Sequence, residues 1–269
     1  MLLPAAAGSG LTGPSPPTSL ARSLRGVTLA RMDRLPALTF FFPAYDEEEN
    51  VEAVVRSALE VLPRFADELE VIVVDDGSHD RTGEIADRLA ASARRVRVVH
   101  HGRNRGYGGA IRSGLAEARM AYVFYTDGDR QFDLADLARL LPGLDDAEVV
   151  IGYRPRRRDP PRRLFIAWVY NRLIWVLFGA RWRDVDCAFK LFRREVFERV
   201  PLERVRSNGA FFSPELLLVL RAAGVRIREV GVPHYPRRAG EEKGATLRVV
   251  LRAIRDLLRL RLRLWSPLR

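Results

Sequence analysis

Two lysines, one cysteine and four histidines are all that this chain of 269 residues holds of those types. The lone thiol, Cys187, excludes an internal disulfide and a thiolate metal cluster, fits a reducing cytoplasm and reads as a small core residue. His100, His101 and His234 sit at strand ends without the carboxylate spacing of a zinc site, which makes them structural or solvated. Long hydrophobic runs are missing too. The nearest, "LFIAWVYNRLIWVLFGARW" (164–182), is broken by Asn171 and Arg172 and falls short of the roughly 18 apolar residues of a spanning helix, so it reads as buried or interfacial. Residues 1–36 lack the basic start and sustained apolar stretch of a signal peptide. Rich in Pro, Ser, Gly and Ala, they read as a disordered tail, with Met32 as a possible true start. The G-x-G-x-x-G fingerprint fails at Ile111, and no G-x-x-x-x-G-K-[ST] occurs.

What is present is an ordinary globular composition, 47% hydrophobic and 29% charged, with a net charge of +11 carried almost wholly by arginine. Such a charge asks for nucleic acid, anionic lipid or a phosphate-bearing substrate, and composition does not choose among them. From residue 38 short β-rich runs alternate with amphipathic ones: strands at 38–42, 69–74, 96–100, 121–126 and 148–153, with helices near 48–62, 81–93, 108–118 and 133–141. Beyond residue 153 come a basic loop "RPRRRDPPRR", an aromatic segment, a short strand near "AFKLF", a helix near 213–223 and a strand at 226–232. Open α/β sheets bind ligands beyond the carboxyl ends of their strands.

Four segments stand at such ends. "PAYDEEEN" follows the first strand, where Pro43 is expected to end the ladder. "VVDDGSHDRT" offers a carboxylate for a nucleobase N–H, and "NRGYGGAIRSG" gives a Gly-rich helix start whose N–H groups suit a diphosphate or a sugar. In "FYTDGDRQFD" Asp127 and Asp129 stand i, i+2 across a glycine, a spacing that lets two carboxylates hold magnesium or manganese against a diphosphate. Asp133 belongs instead to the start of the next helix. A phosphohydrolase with an attacking Asp fits poorly, because Arg130 and Gln131 follow and the motif sits on the fourth strand.

With "GYR" and "RRAGEEKGA", these motifs in this order resemble glycosyltransferase family 2 over residues 38 to about 250, in particular its dolichol-phosphate and polyprenyl-phosphate mannosyl- and glucosyltransferases. The resemblance implies an α/β GT-A nucleotide-diphospho-sugar transferase fold, a mainly parallel sheet with flanking helices, over 37–245. It also implies a nucleotide-diphosphate sugar donor and a magnesium or manganese cofactor. Carried over by motif, Pro43, Tyr45 and Glu47 hold the nucleotide and Val74 and Asp76 contact the nucleobase. Asp127, Asp129 and Gln131 form the metal site, with Gly128 against the donor. Arg154 lies near the donor phosphates, and Arg237 and Lys243 belong to a loop that closes over them. Asp129, Arg154 and Asp186 are the catalytic candidates. Two departures are visible: "DVDCAFK" supplies both Asp184 and Asp186 where the family has one Asp, and Glu242 stands before Lys243 in place of Ser.

Asp184 and Asp186 therefore divide between acceptor contact and pairing with a nearby arginine, and Glu215 between a helix-dipole partner and an acceptor contact. The terminal stretch 246–269 alternates Leu and Arg at helical spacing, a basic amphipathic helix suited to an anionic membrane surface or to packing on the domain. The expected activity is inverting, metal-dependent hexose transfer to a polyprenyl phosphate by a protein held peripherally on the cytoplasmic face of a membrane. No nucleic acid partner is expected. The alternatives are a family 2 transferase with a hydroxyl acceptor, and a non-catalytic polyanion- or membrane-binding protein.

Overall fold

The computed structural model describes residues 34–155, 161–209, 211–236 and 247–265. Strands β1 (Leu35–Ala44), β2 (Ala66–Asp75), β3 (Val96–His100), β4 (Tyr122–Tyr125), β5 (Val149–Tyr153), β6 (Lys190–Arg193) and β7 (Ile227–Gly231) form one sheet, in the order β3-β2-β1-β4-β6-β5-β7. All neighbours run parallel except β6, which is antiparallel to both β4 and β5. The helices are α1 (Val51–Val61), α2 (Thr82–Ser92), α3 (Tyr107–Glu117), α4 (Pro161–Phe178), α5 (Val196–Arg199), α6 (Phe212–Ala222) and α7 (Leu247–Trp265).

The central strands are apolar on consecutive residues because both sheet faces are covered. Phe41, Ile72, Val74, Val123 and Tyr125 point to one face, against Ile111 of α3, Ile174 of α4, Leu216 of α6 and Leu257 of α7. Phe40, Phe42, Val71, Val73 and Phe124 point to the other, against Val55 of α1 and Ile85 of α2. The period of two along β1 thus divides its phenylalanines between two cores.

Three expectations are corrected. β1 begins at Leu35, inside the stretch assigned to the tail, whose residues 1–33 lie outside the described ones. Pro43 does not end the ladder: it pairs in register with Val74, while β4 stops at Tyr125, level with Phe41, so no β4 residue needs the N–H that Pro43 lacks. The helix expected over 133–141 is two 3₁₀ turns, Leu134–Arg139 and Leu141–Asp145, the second opened by Pro142. Asp133 caps the first through Ala135 N–H at 2.9 Å, as expected of it. The terminal helix packs on the domain along one face, while its Leu258 and Leu262 stay 50% and 69% exposed. Leu257 and Leu260 are buried in the main core, and Met32–Arg269 forms one unit.

Glu215 shows how α7 is held. At 2% exposure it accepts the backbone N–H groups of Arg206 and Ser207, at 3.1 and 2.9 Å, and pairs with Arg263 of α7 at 2.5 Å. The carboxylate is a structural tie, which removes it as an acceptor contact. Burial pushes its pKa up, but the bonds from Ser207, Arg206 and Arg263 outweigh burial and hold it below the usual value. A depressed carboxyl pKa stabilises the fold above the unfolded value, and that stability is lost as pH falls through the folded one. Melting temperature should therefore fall faster for wild type than for Glu215→Gln as pH drops below about 4.5, and parallel curves would contradict the tie.

Candidate donor and metal site

The carboxyl ends of β1, β2 and β4 are adjacent, and the loops leaving them are stitched together. Asp46 N–H donates to Ser78 Oγ at 3.0 Å, Glu47 N–H to Thr82 Oγ1 at 2.8 Å, and His79 N–H returns a bond to Asp46 Oδ1 at 2.8 Å. Tyr45 stands edge-on to His79, with ring centroids 5.9 Å apart, and the Glu47 carboxylate accepts Asn50 Nδ2 at 2.7 Å. "PAYDEEEN" and "DDGSHDRT" are thus two sides of one cradle, a relation invisible in either motif alone. Asp76, 3% exposed, is bonded through Oδ1 to His101 Nδ1 at 2.6 Å and to Arg105 N–H at 2.8 Å. Val74 is wholly buried in the sheet core, where it supports the two aspartates that follow it.

On β4, the Asp-Gly-Asp turn lies against β1. A Cβ on Gly128 would come within 3.0 Å of Pro43 O and 3.1 Å of the Phe42 ring, so a side chain there would crowd the turn against the strand end. Asp127 and Asp129 are half-buried at this edge. Tyr107, the first residue of α3, donates its hydroxyl to Asp127 Oδ1 at 3.0 Å. Its pKa is raised well above the usual tyrosine value, by burial first and then by the charge of Asp127, with Asp129 contributing. Asp129 Oδ1 accepts Gln131 N–H at 3.1 Å, and Arg130 between them adopts φ 61°, a left-handed conformation uncommon outside glycine. Such backbone strain clusters at functional turns.

These residues suit a hard divalent cation. Both aspartates are oxygen donors whose fields overlap at Tyr107, and no group of three or more His, Cys, Asp or Glu that could hold a metal occurs among the described residues. A pair of carboxylates that leaves the remaining positions to substrate phosphates is how magnesium is usually held. Gln131 is engaged with Tyr235: its O accepts Tyr235 N–H at 2.9 Å and its Nε2 donates to Tyr235 O at 3.3 Å. This brings the segment after β7 to the Asp-Gly-Asp turn. Arg237 and Lys243, farther along, lie outside the described residues.

Arg154, just past β5, makes a two-pronged pair with Asp184, Nε to Oδ2 at 2.6 Å and Nη2 to Oδ1 at 3.0 Å, with the side chains 10% and 4% exposed. Asp184 is thus the arginine partner and Asp186 the exposed member. Lys190, fully buried in β6, donates to the carbonyls of Val185 and Cys187, which fixes the loop between the two aspartates. Cys187 is inert core, its thiol pushed up to about 12 by burial.

A groove of about 560 Å³ opens beside α4, lined by Leu164, Trp168, Trp175 and Trp182 with Arg172, Arg181 and Arg183. The guanidinium groups of Arg172 and Arg181 lie 3.7 and 4.9 Å from the Trp175 ring centroid. Trp168 and Val176 are 63% and 68% exposed. No described helix is long and apolar enough to cross a membrane.

The family model for glycosyl transferase family 2 matches residues 39–200. The chain belongs to that family. It is 35% identical to the glycosyltransferase AglD of Haloferax volcanii over 81% of its own length, spanning only 36% of that protein. It is 32% identical to the polyprenol monophosphomannose synthase of Mycolicibacterium smegmatis, over 75% of this chain and 78% of the relative. Among solved structures it resembles the glucosyl-3-phosphoglycerate synthase of Mycobacterium tuberculosis in complex with Mn²⁺, UDP-glucose and phosphoglyceric acid. The TM-score is 0.65 at 21% identity, covering 84% of this chain and 80% of that one, a likeness of GT-A fold. The motifs that follow β1, β2, β3, β4 and β5 thus lie at the carboxyl ends of one sheet, and "RRAGEEKGA" lies outside the described residues. What no motif signalled was Tyr107 on Asp127, His101 on Asp76, and the groove.

Proposed function

We propose that the chain transfers a hexose, with inversion, from a nucleotide-diphosphate sugar to a polyprenyl phosphate, held peripherally at the cytoplasmic face of a membrane. The observation that carries the acceptor side is the groove beside α4, whose tryptophans suit an isoprenoid chain and whose arginines suit a phosphate. The polyprenol monophosphomannose synthase similarity supports it.

Pro43, Tyr45, Glu47, Val74 and Asp76 form or support the nucleotide cradle, and Gly128 lets the diphosphate approach the strand ends. Asp127 and Asp129, with Gln131 beside them, would hold magnesium or manganese. Such a cation, when bound, acts as a Lewis acid on the departing diphosphate. Arg154 is fixed in plane by Asp184, and Arg237 and Lys243 supply further positive charge; cations arranged in advance where negative charge develops stabilise the transition state without reorganising. Direct displacement at the anomeric carbon inverts its configuration, and a phosphate acceptor is already ionised and needs no base.

Purified protein given Mn²⁺, common sugar nucleotides and a polyprenyl phosphate should release nucleotide; release from no donor would overturn the reading. Cation–π contacts are worth about 0.5–2 kcal/mol, so Trp175→Ala should raise KM for the lipid phosphate roughly 2- to 30-fold and leave donor KM unchanged. Exposed Asp186 favours the second reading, a hydroxyl acceptor that needs a base. Asp186→Asn discriminates: transfer abolished with donor binding intact supports the hydroxyl acceptor, whereas transfer retained supports the phosphate.

A further inference from the structure

We propose that Tyr107 is a positioning residue for the divalent cation: its hydroxyl holds Asp127 in the orientation that the metal requires. The proposal rests on the metal reading above. The sequence presents "NRGYGGAIRSG" as a Gly-rich helix start facing a diphosphate or sugar, and the structure gives its glycines a packing task as well. A Cβ on Gly106, at φ 83°, would sit 2.8 Å from Asn208 O, and one on Gly108 would sit 2.4 Å from Phe212 Cβ and 2.8 Å from the Asn208 backbone. A Cβ on Gly114 would sit 2.2 Å from the Phe41 ring. The glycines therefore seat α3 closely, its first turn on Asn208 and Phe212 and its far end on β1.

Tyr107 lies between Gly106 and Gly108, and the seating fixes where its hydroxyl ends. That end is Asp127 Oδ1, at 3.0 Å. A carboxylate that accepts one bond from a fixed donor has lost freedom about its χ angles, so its remaining lone pairs point one way. An aspartate left to rotate would have to be ordered when the cation binds. Outer-shell partners of metal ligands act in this way, and their loss typically lowers metal affinity about 10- to 100-fold. A phenylalanine would fill the same packing space equally well. The hydroxyl is the part that packing does not require.

The test is Mn²⁺ affinity of the full chain without sugar substrate, measured by electron paramagnetic resonance of free Mn²⁺ and by calorimetry with UDP and GDP as probes. Tyr107→Phe is expected to weaken Mn²⁺ binding about 10- to 100-fold. Its melting temperature without metal and its metal-free nucleotide affinity should match wild type. Unchanged Mn²⁺ affinity in Tyr107→Phe, beside a wild type that binds Mn²⁺ and an Asp129→Ala variant that does not, overturns the Tyr107 role and leaves the metal site standing. Equal weakening in Tyr107→Phe and in a conservative surface variant far from the site, such as Glu60→Gln, would also overturn it. A wild type that binds no Mn²⁺, with or without nucleotide, overturns both the proposal and the metal reading.

Discussion

Asp129→Ala is expected to lower transfer by on the order of 10²- to 10³-fold, the usual effect of removing one preorganised electrostatic stabiliser, and to abolish metal-dependent donor binding. The fold should survive. Asp129 is half-buried in a turn, and the bond it accepts from Gln131 N–H contributes about 0.5–1.5 kcal/mol. The check is calorimetry of a nucleoside diphosphate with and without Mn²⁺, beside circular dichroism of the same sample. Retained Mn²⁺-dependent affinity would place the cation elsewhere. The alternative of a polyanion-binding protein predicts binding that falls steeply with salt and ignores this substitution.

Asp184→Ala should produce the largest loss of stability. It leaves the Arg154 guanidinium, 10% exposed, without its two-pronged partner, and breaking a buried pair from one side commonly costs about 3–5 kcal/mol. At roughly 2–4 °C per kcal/mol for a domain of this size, the melting temperature should fall by about 6–20 °C. Arg154→Ala should do similar damage, and the double variant should be less unstable than the sum of the singles, because the second substitution removes a charge already stranded. Additive effects would mean that the two groups act separately. Arg154→Lys should not restore stability, since an ammonium cannot make both bonds.

The sequence made the βα alternation and the Asp-Gly-Asp turn legible because each is local: a strand reads from its own β-branched run, and the turn from three adjacent letters. Pairing across distance was not legible. Asp184 and Arg154 are thirty positions apart, and nothing in "DVDCAFK" says which aspartate faces inward; that depends on Lys190 holding two carbonyls of the loop from beneath. The glycines of "NRGYGGAIRSG" suggested phosphate contact because a glycine marks any close approach, and the sequence does not say that the approaching group is Phe212 or Phe41. Pro43 suggested the end of a strand because its missing N–H matters only where a neighbour asks for it, and β4 is too short to ask.

The antiparallel β6 has a consequence for how the chain is made. β1 to β4, with the Asp-Gly-Asp turn, can pair among themselves as soon as they emerge from the ribosome. β5 cannot, because its partners are β6 and β7, and β6 arrives only after α4. During synthesis the half of the sheet that carries the proposed nucleotide cradle can therefore assemble first, β4 with its outer edge bare, while the strand leading to Arg154 waits unpaired beside an aromatic helix. An unpaired edge and uncovered aromatic surface are the features that draw chains together. The interval between residues 153 and 190 is where the nascent protein is most exposed to misassembly.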